Sequence, residues 1–105
     1  MDEAAFNRMA DAELERIEAR LEACSVDLDL ERKAGGVLEV EFENGTKLII
    51  NRHTAAREIW VAARSGGFHF RPEGEIWRAA RDGAELYATL ERLVAEQSGA
   101  AILRL

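Results

Sequence analysis

The apolar residues of this chain change period twice along its length. Phe6, Met9, Ala10, Leu14, Ile17, Leu21 and Cys24 follow steps of three and four, the stripe of an amphipathic helix. From Val26 the step becomes two. Val26, Leu28 and Leu30 alternate with Asp27, Asp29 and Glu31, and Leu38, Val40 and Phe42 alternate with Glu39, Glu41 and Glu43. Four more short strands are expected over Lys47–Arg52, Glu58–Arg64, Phe68–Arg71 and Glu75–Ala80. Helical spacing returns at Leu86, Leu90, Leu93 and Val94, with Asp82 as N-cap, Glu85 three residues on, and Gly99 placed to close the helix. Asn44-Gly45 predicts a tight hairpin with positive φ at both central residues. Arg71-Pro72-Glu73-Gly74 predicts a turn with proline at its second position. Helix, about six strands, then helix predicts an α+β sandwich. Both helices cover one face of an antiparallel sheet and the other face is left to solvent.

No shift of composition and no internal repeat divides the 105 residues, so a single domain over residues 1–105 is expected. The longest apolar run, Ile59–Ala63, is far short of the roughly 18 residues needed to cross a bilayer. The acidic start Met1-Asp2-Glu3-Ala4 lacks the basic region of a signal peptide. Cys24 is the only cysteine, which excludes an internal disulfide. A cytoplasmic protein is expected.

Charge is unevenly placed. Of 20 acids, thirteen fall within residues 1–43 beside only five bases, while the remainder holds nine bases against seven acids. Such a chain repels phosphate backbones and anionic lipid over its N-terminal part, so neither nucleic acid nor membrane is an expected partner. It attracts cations, or a basic patch on another protein.

Asp11, Glu15, Glu18 and Glu22 lie at spacings of four, three and four, and the last three have no Lys or Arg three or four residues away. Strand parity puts Asp27, Asp29 and Glu31 on the same face as Glu39, Glu41 and Glu43. Any antiparallel register that keeps the apolar residues together sets acid opposite acid. Hard cations accept carboxylate oxygens from such clusters without a fixed cage, so weak and unselective metal binding is expected. Parity also places Trp60 opposite to Ile59, Val61 and Ala63. It is therefore exposed if the helices cover that set, and an exposed Trp is a typical interface anchor. The other reading has Trp60 capping a satellite cluster with Ile49. Trp77 reads as core. His53 and His69 belong to no metal-ligand spacing and are expected to be solvated or hydrogen-bonded. No catalytic triad, phosphate loop or dinucleotide fingerprint occurs.

The runs Gly35-Gly36-Val37-Leu38, Phe42-Glu43-Asn44-Gly45-Thr46-Lys47-Leu48-Ile49-Ile50-Asn51-Arg52, Ile59-Trp60-Val61-Ala62 and Gly66-Gly67-Phe68-His69-Phe70 resemble the bacterial frataxin (CyaY) family. The resemblance extends to Phe6-Asn7-Arg8-Met9-Ala10-Asp11 and to Trp77. It implies a frataxin-like sandwich, iron held at an acidic ridge, and association with the cysteine desulfurase and scaffold proteins of iron–sulfur cluster assembly. By that resemblance Glu18, Glu22, Asp27, Asp29, Glu31 and Glu43 are metal-binding positions, and Asn51, Arg52 and Trp60 share a partner-binding surface. Ala19 and Ala23 stand where the family often has further acids, Glu39 and Glu41 add charge on the second strand, and His53 and Glu58 replace the family's glutamines.

The expected function is that of a non-enzymatic iron-binding regulator or adaptor of cluster biogenesis. Iron, Fe2+ or Fe3+, is weakly bound, no organic cofactor is used, and the chain is a monomer or an iron-induced oligomer. A ferroxidase is the alternative from another class, although neither helix holds the histidine that built di-iron sites use. An interaction module whose acids serve only solubility is the third.

Overall fold

Asp2 caps the first helix by accepting a hydrogen bond from Ala5 N at 2.7 Å, and α1 then runs from Glu3 to Ala23. This computed structural model describes residues 1–100 and 104–105. Six strands follow: β1 (Leu28–Lys33), β2 (Val37–Phe42), β3 (Lys47–His53), β4 (Glu58–Ala63), β5 (Gly66–Glu73) and β6 (Ile76–Arg78). They form one antiparallel meander in sequence order, and α2 (Leu86–Ser98) closes the described fold.

The periodicities explain the layers. Phe6, Ala10, Leu14, Ile17 and Leu21 line the buried side of α1. Leu86, Leu90, Leu93 and Val94 do the same for α2. Both stripes pack on one sheet face built from Leu38, Val40, Phe42, Leu48, Ile50, Ile59, Val61 and Phe70. Trp77 is 3% exposed and belongs to this core, as expected. One charged group is buried beside it. Glu13 accepts hydrogen bonds from Trp77 Nε1 at 3.2 Å and from the Tyr87 hydroxyl, tying α1 to β6 and α2. Burial and the adjacent carboxylate push the Tyr87 hydroxyl well above its ordinary pKa.

Three local expectations are corrected. Only Gly45 of Asn44-Gly45 has positive φ, at 87°. Phe42 N donates to Thr46 O and Gly45 N to Phe42 O, which makes a three-residue loop with glycine in the left-handed position. Asn44 spends its side chain instead, accepting from Thr46 N at 3.0 Å and donating to Gln97 O at 2.7 Å. Pro72 lies inside β5, not in a turn. It pairs with Trp77 beyond the last β4 pair, Ile59↔Phe70, where no β4 ladder needs its missing N–H. The turn falls two residues later, at Gly74-Glu75, with Gly74 at φ 66°. The N-cap of α2 is Glu85, whose carboxylate accepts from Tyr87 N and Ala88 N. Asp82 fails as cap because Gly83, at φ 76°, and the Ala79–Ala84 hydrogen bond hold that stretch in a turn. Gly99 does end α2, with φ 80°. Among the described residues no helix is long and apolar enough to cross a membrane.

Candidate functional site

The sheet face away from the helices carries two surfaces. The first is acidic. In the β1–β2 ladder Asp29 pairs with Glu41 and Glu31 with Glu39, so acid stands opposite acid as parity required. Lys33 at the end of β1 and Lys47 of β3 relieve one end of this ladder. Glu39 meets Lys33 Nζ at 2.9 Å and Lys47 Nζ at 3.1 Å, and Lys33 also reaches Glu31 at 3.9 Å. The hydrogen bonds from Lys33 and Lys47 hold the Glu39 carboxyl below its ordinary range, and Glu39 in turn raises Lys33. On the helix, Glu18 is met by Arg32 at 3.3 Å.

These pairings divide the acids expected to take metal. Glu18 and Glu31 have basic partners, whereas Glu22, Asp27, Asp29 and Glu43 have none among the described residues. Asp27, Asp29, Glu41 and Glu43 instead line one shallow hollow of about 430 Å³ at the mouth of the β1–β2 pair. Asp27 precedes β1 and Glu43 follows β2, so the strand ends bring the two acids toward one another. The hollow adds Glu41 to the set and leaves Glu18, Glu22 and Glu31 outside it. No group of three or more His, Cys, Asp or Glu is arranged as a ready-made metal cage among the described residues. Such an arrangement offers carboxylate oxygens to hydrated hard cations without fixing a coordination geometry.

The second surface is aromatic. Register pairs Asn51 with Trp60 and Trp60 with His69, while His53 pairs with Glu58 at the hairpin end of the same strands. All of these side chains share the face without helices. The Trp60 indole lies between two imidazoles. His53 stacks on one side at 3.7 Å between ring centroids and 11° between planes, and His69 on the other at 4.1 Å and 8°. Glu58 fixes this arrangement from below, though it is only 8% exposed. It accepts from Trp60 Nε1 at 2.8 Å and from Arg71 Nε at 2.9 Å, with His69 Nδ1 at 3.9 Å. Desolvation pushes the Glu58 carboxyl upward, but the hydrogen bonds from Trp60 and Arg71, with the charge of Arg71, outweigh it and leave the pKa below the ordinary value. His53 Nδ1 accepts from Ala56 N at 3.3 Å.

Trp60 therefore points to the face that parity gave it, but half-buried and with both ring faces covered. Asn51 lies beside it and donates to Arg52 O at 3.1 Å. Arg52 does not share this surface. In β3 it follows Leu48 and Ile50 at a spacing of two on the helix side, and its guanidinium binds Asp11 of α1. The expectation that placed Arg52 with Asn51 and Trp60 is corrected by the two-residue period itself. The histidine stack was not legible in residue spacing, because it needs the exact registers of β3 to β4 and of β4 to β5. The signal lay in the four residues between His53 and Glu58, a loop length that sets the first of those registers.

A frataxin-like domain model matches residues 1–100. The chain is 55% identical over 103 residues to the iron-sulfur cluster assembly protein CyaY of Dechloromonas aromatica (strain RCB), covering 98% of both chains. To the protein of the same name from Cupriavidus necator it is 52% identical over 105 residues, covering 97% of this chain and 95% of that one. A solved frataxin from Psychromonas ingrahamii superposes with a TM-score of 0.88 at 31% identity, covering 97% of this chain and 96% of the other.

Proposed function

The chain belongs to the family of frataxin-like domains, and from that premise we propose that it serves iron–sulfur cluster assembly as an iron-binding regulator, without catalysing a reaction of its own. The observation that carries this reading is the sharing of one sheet face. The unpaired acids at Asp27, Asp29, Glu41 and Glu43 and the Trp60 stack lie on the same helix-free face, the acids toward the Lys47 end of β3 and the stack at its His53 end. A partner with a basic patch beside an apolar or polar-aromatic groove can meet both at once.

Iron is cargo on this surface, not a resident cofactor. Ferrous or ferric ions take oxygen ligands from the hollow at the β1–β2 mouth, weakly, because no built cage selects a geometry. Glu22, at the end of α1, and Glu31, released from Lys33, extend the same acidic field. That field steers the domain toward the basic surface of a cysteine desulfurase with its bound scaffold. Asn51 and Trp60 then give the contact its lifetime. Arg52 acts on the same contact from below, by holding β3 to α1.

Cluster assembly on the scaffold protein tests this, with the protein and iron each titrated. A rate change that needs both the protein and iron, and that is lost when Asp27, Asp29, Glu41 and Glu43 are neutralised together, supports the reading. A rate that ignores the protein at every iron concentration contradicts it.

A further inference from the structure

The two edges of the sheet are finished differently. β1 is guarded: four of its six residues, Asp29, Glu31, Arg32 and Lys33, are charged, a common defence of an edge against another strand. The far edge is shared unevenly between β5 and β6. β6 pairs only with Arg71, Pro72 and Glu73, so the first part of β5, Gly66–Phe70, pairs with β4 on one side and with no strand on the other. This run, Gly66-Gly67-Phe68-His69-Phe70, holds no lysine, carboxylate or proline to guard it.

Pro72 tells which backbone groups face the gap. It has no N–H, so it cannot exchange both hydrogen bonds with Trp77. Arg71 with Arg78, and Glu73 with Ile76, fill that role. Alternate residues of a strand turn their backbone groups to the same side. Gly67 and His69 therefore aim theirs as Arg71 does, past the end of β6, and no other group among the described residues bonds to them. The chain after Arg78 would cover them if it ran straight on. Instead Ala79 N donates to Ala84 O and Gly83 N to Ala79 O, both at 2.8 Å, which folds the intervening residues into a turn. Between that turn and β5 lies a hollow of about 470 Å³, bounded by Phe68 and His69 on one side and by Ala80, Arg81 and Asp82 on the other.

The charges around this hollow are paired off. Glu58 meets Arg71 at 2.9 Å, Glu73 meets Arg78 at 3.8 Å, and Glu96 meets Arg92 at 3.4 Å. Arg81 and Asp82 remain, adjacent and opposite in sign, and the Asp82 carboxylate accepts from Ala84 N at 3.0 Å. The His69 ring is spent on Trp60. On a chain of net charge −6 this edge is thus close to neutral. Its apolar element is Phe68, half-buried, with the Arg92 guanidinium 5.5 Å from the ring centroid.

We propose that the free part of β5 is a strand-addition site, which takes an uncharged extended segment of a partner protein between Gly66–Phe70 and the Ala80–Asp82 turn. Main-chain bonds to Gly67 and His69 attach the segment, and its alternate side chains pack on Phe68. A second copy of this chain fits less well. Its β1 brings four charges to a neutral groove, and its β5 arrives with its own turn in the way. The site lies at the opposite end of the strand order from the acidic β1–β2 mouth, so it is a contact beyond the iron-dependent docking.

The probe is a capped hexapeptide of alternating threonine and valine, titrated into isotope-labelled protein and followed by amide shifts in solution NMR. The shifts are expected to saturate and to be largest at Gly67 and His69, with Asp29 and Glu41 unmoved. Two N-methylated versions then test the backbone, one methylated on every valine and one on every threonine. The version whose missing N–H groups faced β5 is expected to bind at least about tenfold more weakly, and the other within about twofold of the parent. Gly67→Pro removes a donor from the protein side. Gly67 is not held at positive φ, a Cβ there meets nothing within 4 Å, and an edge tolerates proline. This variant is expected to bind the parent peptide about fivefold or more weakly. If it does not fold, the methylated pair still decides. No saturable shift at Gly67 and His69 up to about 10 mM peptide, or two methylated peptides that bind alike, overturns the proposal. Shifts at these amides that follow protein concentration without peptide assign the edge to a second copy, and overturn it too. Iron takes no part in these titrations, so their failure leaves the iron-dependent reading standing.

Discussion

Asp29 and Glu41 stand opposite one another in the β1–β2 ladder, two carboxylates with no basic partner among the described residues. Two positions along, the equivalent pair of Glu31 and Glu39 is bridged by Lys33. One ladder thus holds a relieved acid pair and an unrelieved one, and the unrelieved pair lies in the hollow with Asp27 and Glu43. Like charges directly opposite cost about 0.2–1 kcal/mol.

Removing either charge of the unrelieved pair should stabilise the fold. Asp29→Asn or Glu41→Gln is expected to raise the melting temperature by a few degrees, at about 4–8 °C per kcal/mol for a domain of this size. Added salt or millimolar divalent cation should raise it in the wild type and raise it less in the variants, by screening and by binding the native state. Glu39→Gln should do the opposite and destabilise, since it deprives Lys33 and Lys47 of their partner. Differential scanning calorimetry on the three variants checks the signs.

Glu58→Gln is expected to destabilise the domain at neutral pH by about 1–3 kcal/mol, the range for a buried hydrogen-bonded group turned against a donor. The amide can still accept from Trp60, but its NH2 faces Arg71. The Glu58 carboxyl has a folded pKa below its unfolded one. Its contribution is therefore complete above the unfolded value of about 4.3 and is lost as pH falls through the lower folded value. Urea unfolding of both chains from pH 7 downward should show the gap closing only in acid, below about pH 4.

Gly36 and Arg52 are coupled by space. Gly36 has φ 76°, and a Cβ there would stand 2.6 Å from Arg52 Cγ, whereas Gly35, at φ 86°, has open space. The backbone cost of alanine is similar at both, about 1–2 kcal/mol. Gly36→Ala should lose about 1 kcal/mol more than Gly35→Ala, and the excess should disappear in an Arg52→Ala background. Equilibrium unfolding of the double-mutant cycle measures it.

The layers of this fold were legible because its periodicities are clean. Leu28, Leu30, Leu38 and Val40 alternate with acidic residues, and the side facing the helices follows from parity alone. The same parity foretold that acid would stand opposite acid, and the register makes the pairs Asp29–Glu41 and Glu31–Glu39. What it missed depended on hydrogen bonds that spacing does not encode. Glu85 took the cap expected of Asp82, because Gly83 and a backbone hydrogen bond kept the chain in a turn. Glu18 looked unpaired along its own helix, yet Arg32 reaches it from β1. His53 and His69 looked unrelated at sixteen residues apart, and only the pairing of three strands set them on either side of Trp60.

In the proposed docking, the acidic field and the Trp60 stack act on one partner in different ways. Charge acts over distance and sets how fast the two proteins meet, while a large side chain withdrawn from water sets how long they stay. The most direct measurement is surface plasmon resonance against the desulfurase–scaffold complex at two salt concentrations. Asp29→Asn/Glu41→Gln should lower the association rate and flatten its salt dependence, with the dissociation rate little changed. Trp60→Ala should keep the association rate and raise the dissociation rate by about thirtyfold, the equivalent of a hot spot of about 2 kcal/mol. A folded Trp60→Ala chain with an unchanged complex lifetime, or acid-neutralised chains that associate as fast as wild type at low salt, would contradict the account.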